Sequence, residues 1–141
     1  LRVSKEKGIN FTNAEKVYRE LGGNPGWLTY YGYVYLREGE ENALIRVKHY
    51  AKRLLAKELC NFIMEGNRSL KRYLKIIETC KDGCSWKEIR NGLEALEGRA
   101  INDKIVKTII ENLIDYSLLI KEEKYQLADP LLADIRVSQC S

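Results

Sequence analysis

The chain has 141 residues, 45% of them hydrophobic and 31% charged, with a formal net charge of +4. That length suits one ordinary domain or two small ones, and the apolar share is enough for a core, which excludes global disorder. No apolar run approaches the ~20 residues of a membrane-spanning helix and no signal peptide is visible, so a cytoplasmic chain with no membrane partner is expected.

Thr12-Asn13-Ala14-Glu15 has the form of a capping box and opens a helix through about Leu21, with Val17, Tyr18 and Leu21 on its apolar face. Gly22 and Gly23 end it, because glycine accepts the left-handed conformation at a helix terminus. Asn24 is the next N-cap and Pro25 a first-turn proline, so a second helix runs from Pro25 to about Arg37. Gly39 breaks it. A long third helix follows from about Glu41 to Glu65, with Leu44, Val47, Tyr50, Ala51, Leu54, Leu55, Leu59, Phe62 and Ile63 at helical spacing. Its other face carries Arg46, Lys48, His49, Lys52, Arg53 and Lys57.

Gly66-Asn67 marks a boundary, dividing the chain into a helical bundle over 1–65 and a second domain over 66–141. A fourth helix covers about Ser69 to Thr79, and Lys81-Asp82-Gly83 is a turn. Ser85-x-x-Glu88 is a second capping box, starting a helix over Trp86 to Leu96. Asn102 caps a further helix over about Asp103 to Ser117. In "LLIKEEKYQLAD" two short apolar runs flank the polar tip Lys121-Glu122-Glu123-Lys124, the pattern of a β-hairpin. Asp129-Pro130 starts a last short helix with Leu131, Leu132 and Ile135. Helix, turn, helix, loop, helix and hairpin is the order of a winged helix-turn-helix. The expected fold is therefore mostly α: a small helical bundle followed by a winged helix with a short hairpin wing.

The cysteines Cys60, Cys80, Cys84 and Cys140 form no Cys-x-x-Cys pair, and the single histidine, His49, is distant in sequence. A zinc site needs about four N or S ligands at tighter spacing, so no metal site is expected. Cys80 and Cys84 are expected as a reduced cytosolic pair, with a bridge across a helix end as the minority alternative. Abundant Lys, Glu and Ile, with only two glutamines, lean toward a thermophile, where intracellular disulfides do occur. Nothing points to catalysis. No histidine relay serves a serine or cysteine, and the carboxylates are spread over amphipathic faces. The start at Leu1, with the only methionine at Met64, is expected of a piece of a longer protein.

"LGGNPGWLTYYG", "YLKIIETCKDGCSWKEI" and "NLIDYSLLIKEEKYQLADPLL" resemble the C-terminal region of the archaeal ATPase family, nucleotide-binding proteins of the AAA+/STAND class. The resemblance covers most of the chain. It implies a helical lid followed by a winged helix, with an N-terminal P-loop ATPase domain of the same chain as the partner. That core is missing: no Gly-x-x-x-x-Gly-Lys-Ser/Thr occurs in the sequence. ATP or ADP, with its Mg2+ held by the missing domain, is thus implied for the intact parent and not for this fragment alone. STAND-type lids carry a Gly-x-Pro motif whose proline region packs on adenine. Gly23-Asn24-Pro25, with Gly26 following, matches that motif and implies a nucleotide-facing wall. A helix start also offers free N–H groups and a positive dipole end. The alternative is a tight corner between helices with no ligand contact. Arg37, Arg46 and Arg53 are candidates to reach phosphates, though nothing in their spacing picks one out and a solvated basic face is the favoured account.

A winged helix suggests DNA as an alternative partner. On the recognition helix, Ile105, Val106, Ile109, Ile110, Leu113 and Ile114 are expected to face the core. Lys104, Lys107 and Thr108 then face outward, together with Glu111, Asn112 and Asp115, and Lys87 and Arg90 on the preceding helix extend the candidate DNA surface. The balance is poor for phosphates. Residues 1–64 hold 11 basic and 7 acidic side chains, whereas residues 65–141 hold 13 of each. Phosphate binding needs uncompensated cations. The favoured reading is a regulatory part of an ATPase whose winged helix packs on the core or on another protein.

Overall fold

The computed structural model describes residues 11–135, 137 and 140, and these fall into two compact units. One unit runs up to Ala56 and also takes in Asp129–Ile135; the other comprises Lys57–Ala128 and the described tail residues. The expected boundary at 65/66 lies at the end of the long third helix, while the units divide at Ala56 and Lys57 within it.

In the first unit, α1 spans Phe11–Glu20, so Thr12, expected as its N-cap, is inside the helix; the side chains of Thr12 and Asn13 lie outside the described residues. α2 (Pro25–Glu38) and α3 (Glu40–Glu65) follow, separated by Gly39 alone. A 3-10 turn, Pro130–Asp134, completes the unit. Val17 of α1, Leu21 just after it, Tyr31 and Val34 of α2, and Ala43, Val47 and Ala51 of α3 are buried, as are Leu131 and Leu132. Tyr18 and Tyr50, expected on apolar faces, are exposed; the Tyr50 ring still meets Trp27 and Tyr30 edge-on.

The second unit contains the end of α3, then α4 (Leu70–Thr79), α5 (Trp86–Glu97), α6 (Asp103–Asp115), β1 (Leu119–Lys121) and β2 (Tyr125–Leu127). α4 packs on α5, and α6 touches α5 and β1. The Ser85–Glu88 capping box forms in both directions, with Ser85 Oγ accepting from Glu88 N and Glu88 Oε1 from Ser85 N. β1 and β2 pair antiparallel, Leu119 opposite Leu127. Cys84 adds an isolated bridge to Tyr125, with reciprocal backbone bonds of 2.8 Å, so the sheet has a short third element that sequence patterning cannot detect in one residue. The core centres on Phe62, whose ring meets Tyr73 edge-on at 5.0 Å and Tyr116 at 4.7 Å.

Two expectations are corrected. Cys80 and Cys84 are bridged, not reduced: the turn after α4 brings their Cα atoms to 4.7 Å. Cys60 and Cys140 form a second bridge across 80 residues. Ile105 does not face the core; it is 42% exposed, because the buried stripe of α6 is Val106, Ile109, Ile110 and Leu113.

Arg72 and Glu97 tie α4 to the end of α5 through a two-pronged ion pair, Nη2 to Oε1 at 2.9 Å and Nε to Oε2. The Arg72 hydrogen bond is the main reason the Glu97 carboxyl is pulled from 4.5 to about 2, with Arg99 helping. A lowered carboxylate pKa stabilises the fold above the unfolded value and releases that stability as pH falls. Stability should therefore drop between about pH 4.5 and 2, and a Glu97→Gln chain should lose that component of the acid transition. Urea midpoints measured across this range test it: identical pH slopes for the two chains would contradict the assignment.

Candidate functional site

The corner between α1 and α2 lies within the first unit and follows directly from its sequence. Gly22 and Gly23 have φ of 69° and 72°, left-handed values that disfavour any side chain with a Cβ. Gly23 N donates to Tyr18 O at 3.0 Å, closing α1 with the six-residue backbone bond of a Schellman turn. The glycines are also needed for space. A Cβ on Gly22 would overlap the Pro130 ring, and one on Gly23 would lie 2.8 Å from the Tyr18 hydroxyl oxygen.

Asn24 then caps α2, its Oδ1 accepting from Gly26 N at 2.9 Å and Trp27 N at 3.3 Å. The sequence expectation of free N–H groups here is narrowed: these two amides are already taken. Pro25 and Gly26 are exposed, and Gly23 and Asn24 partly so. The corner thus brings all four predicted residues together. It presents an apolar proline face beside a residue with no side chain, and suits a flat apolar group better than an anion.

Behind it, Trp27 Nε1 donates to Asp129 Oδ2 at 2.8 Å, and Asp129 Oδ1 accepts from Leu131 N at 3.0 Å. Asp129 is only 8% exposed. The Trp27 ring meets Tyr50 edge-on, and Tyr50 meets Tyr30 at 5.2 Å. Tyr31 is buried within the unit, and burial, with Glu40 and Tyr35 adding, pushes its phenol up to about 12. Of the candidate arginines, Arg37 donates to Tyr33 and Arg46 pairs with Glu38, each at 2.8 Å, while Arg53 is exposed on α3. Sequence reading missed Asp129 as a partner of Trp27. A lone acid before a proline and a lone tryptophan 102 residues apart carry no pairing signal.

In the second unit, the residues expected to contact DNA are dispersed. Arg90 pairs with Asp103 at 3.1 Å and with Glu94 at 3.6 Å, and Lys107 approaches Glu111 at 3.9 Å. Lys87 is exposed on α5. Lys104 and Thr108 instead line a groove of about 600 Å³ between the start of α4 and α6, with Arg68 and Ile105 beside them. Among the described residues no three His, Cys, Asp or Glu side chains are placed to hold a metal ion, and no helix is long and apolar enough to cross a membrane.

Residues 68–128 match the family model of the MCM protein C-terminal winged helix-turn-helix domain. Over 94% of its length the chain is similar to a solved structure, the Walker-type ATPase PABY2304 of Pyrococcus abyssi, with 32% identity and a TM-score of 0.73. The chain spans only 38% of that protein. No curated protein matches it.

Proposed function

We propose that this chain is the C-terminal regulatory part of an ATPase of the AAA+/STAND class. Its first unit acts as a lid, Gly23–Gly26 supply one wall of an ATP or ADP site, and nucleotide state is coupled to the winged helix. The observation that carries this reading is the match of nearly the whole chain to just over a third of a Walker-type ATPase. The remainder of such a parent would hold the P-loop and Mg2+ and hydrolyse ATP; the corner would touch the nucleotide base. The exposed Pro25 ring and the bare Gly26 support that division, as does the capture of the Gly26 and Trp27 amides by Asn24, which leaves phosphates to other groups. DNA binding by α6 is not part of this reading, because Asp103, Glu111 and Asp115 share its exposed face and partner two of the candidate cations.

The test is ATP and ADP binding by the parent chain with and without Pro25→Ala. Alanine is well accepted at a first helical position, so the helix should persist. Loss of a rigid apolar contact should weaken nucleotide binding about three- to tenfold. Unchanged affinity would reduce Gly23–Gly26 to a structural joint.

A further inference from the structure

The groove between α4 and α6 lies within the winged-helix unit and is not used by the proposed nucleotide wall. Its chemistry is distinctive in a part of the chain, residues 65–141, that holds 13 basic and 13 acidic side chains. Arg68, Arg72 and Lys104 line it, and none of its lining residues is acidic. Arg68 is held in place: its Nη1 donates to Phe62 O at 2.6 Å and its guanidinium sits 4.1 Å from the Phe62 ring centroid. Arg72 has its fork occupied by Glu97 and contributes mainly its stem. Lys104 is exposed at the rim. The N-capped starts of α4 at Ser69 and of α6 at Asn102 border the same groove, so two positive helix ends add to the field. Ile105 lines the same groove next to Lys104 and is left 42% exposed, outside the buried stripe of α6.

We infer that this groove docks an acidic segment of a separate partner protein, with an apolar side chain seated against Ile105 and carboxylates directed to Lys104 and Arg68. The sign of the lining selects an acidic occupant, and Ile105 selects one that carries an apolar side chain, which a phosphate backbone lacks. DNA laid along α6 would cover Asp103, Glu111 and Asp115 as well as the groove, whereas a single peptide strand or helix meets the groove alone.

The experiment is a titration of the isotope-labelled chain with a short synthetic peptide of Glu and Asp interrupted by one leucine. Parallel arms use a charge-reversed lysine version, an all-acid version without leucine, and a mixed-sequence DNA duplex. Backbone amide shifts should concentrate at 67–73 and 102–112. Lys104→Glu and Ile105→Glu, both surface changes, should each weaken the acidic–leucine peptide about tenfold, while Lys107→Glu outside the groove leaves it unchanged. The inference is overturned by an absence of shifts up to about 1 mM peptide, or by equal binding of the lysine or all-acid version. It is overturned equally by tighter binding of duplex to the same residues. Loss of peptide binding in the longer parent chain would assign the groove to the parent's own remainder and end the separate-partner reading. None of these outcomes depends on Pro25, so failure here leaves the nucleotide-wall reading standing.

Discussion

A chain carrying Cys60→Ser and Cys140→Ser is expected to unfold with roughly 4 kcal/mol less free energy than the oxidised protein, the largest single effect the structure implies. The bridge closes a loop across a sequence separation of 80, which encloses α4, α5, α6 and both strands. Cross-linking restricts the unfolded ensemble in proportion to the logarithm of loop length. By the same reasoning the Cys80–Cys84 bridge, separated by 4, stabilises by only about 2 kcal/mol despite being fully buried. Urea unfolding of the oxidised chain, the double variant and the chain in reductant gives the comparison. Stability equal to the oxidised chain in the double variant would refute it.

Asp129→Ala is expected to lower stability by roughly 2–3 kcal/mol, because one buried carboxylate serves two donors. The Trp27 indole and the Leu131 amide would both lose their acceptor. Asp129→Asn keeps a single carbonyl oxygen that can still cap Leu131, while its amide nitrogen cannot accept from Trp27. An intermediate loss of about 1–2 kcal/mol follows. Thermal unfolding with Trp27 fluorescence checks the order alanine, asparagine, wild type. Three equal stabilities would show the carboxylate to be incidental.

Local chemistry was the most legible part of the sequence. Asn24-Pro25, Ser85-x-x-Glu88 and Asn102 act on amides two or three residues away, so their caps form where the spacing says. The helix order and the hairpin follow from the same short-range rules. Contacts between distant residues were not legible. The Cys60–Cys140 and Trp27–Asp129 pairs depend on how the chain returns, which no local pattern encodes. Ile105 was misassigned because five isoleucines and valines in one helix exceed what a single buried stripe can take, and periodicity alone does not say which is left over. At the corner, the glycines were legible as a helix stop, but not the reason that space as well as φ demands them. That reason is the Pro130 ring, which arrives from more than 100 residues later in the chain.

The return of Asp129–Ile135 to the first unit also sets an order of events during synthesis. Residues up to Ala56 leave the ribosome before the winged-helix segment, yet Gly22 has no ring to pack against and Trp27 no acceptor until Asp129 and Pro130 have been made. Domains commonly fold as they emerge. Here the winged-helix segment is complete to Ala128 before the helical unit can close, so the earlier-made of the two units is the later to finish.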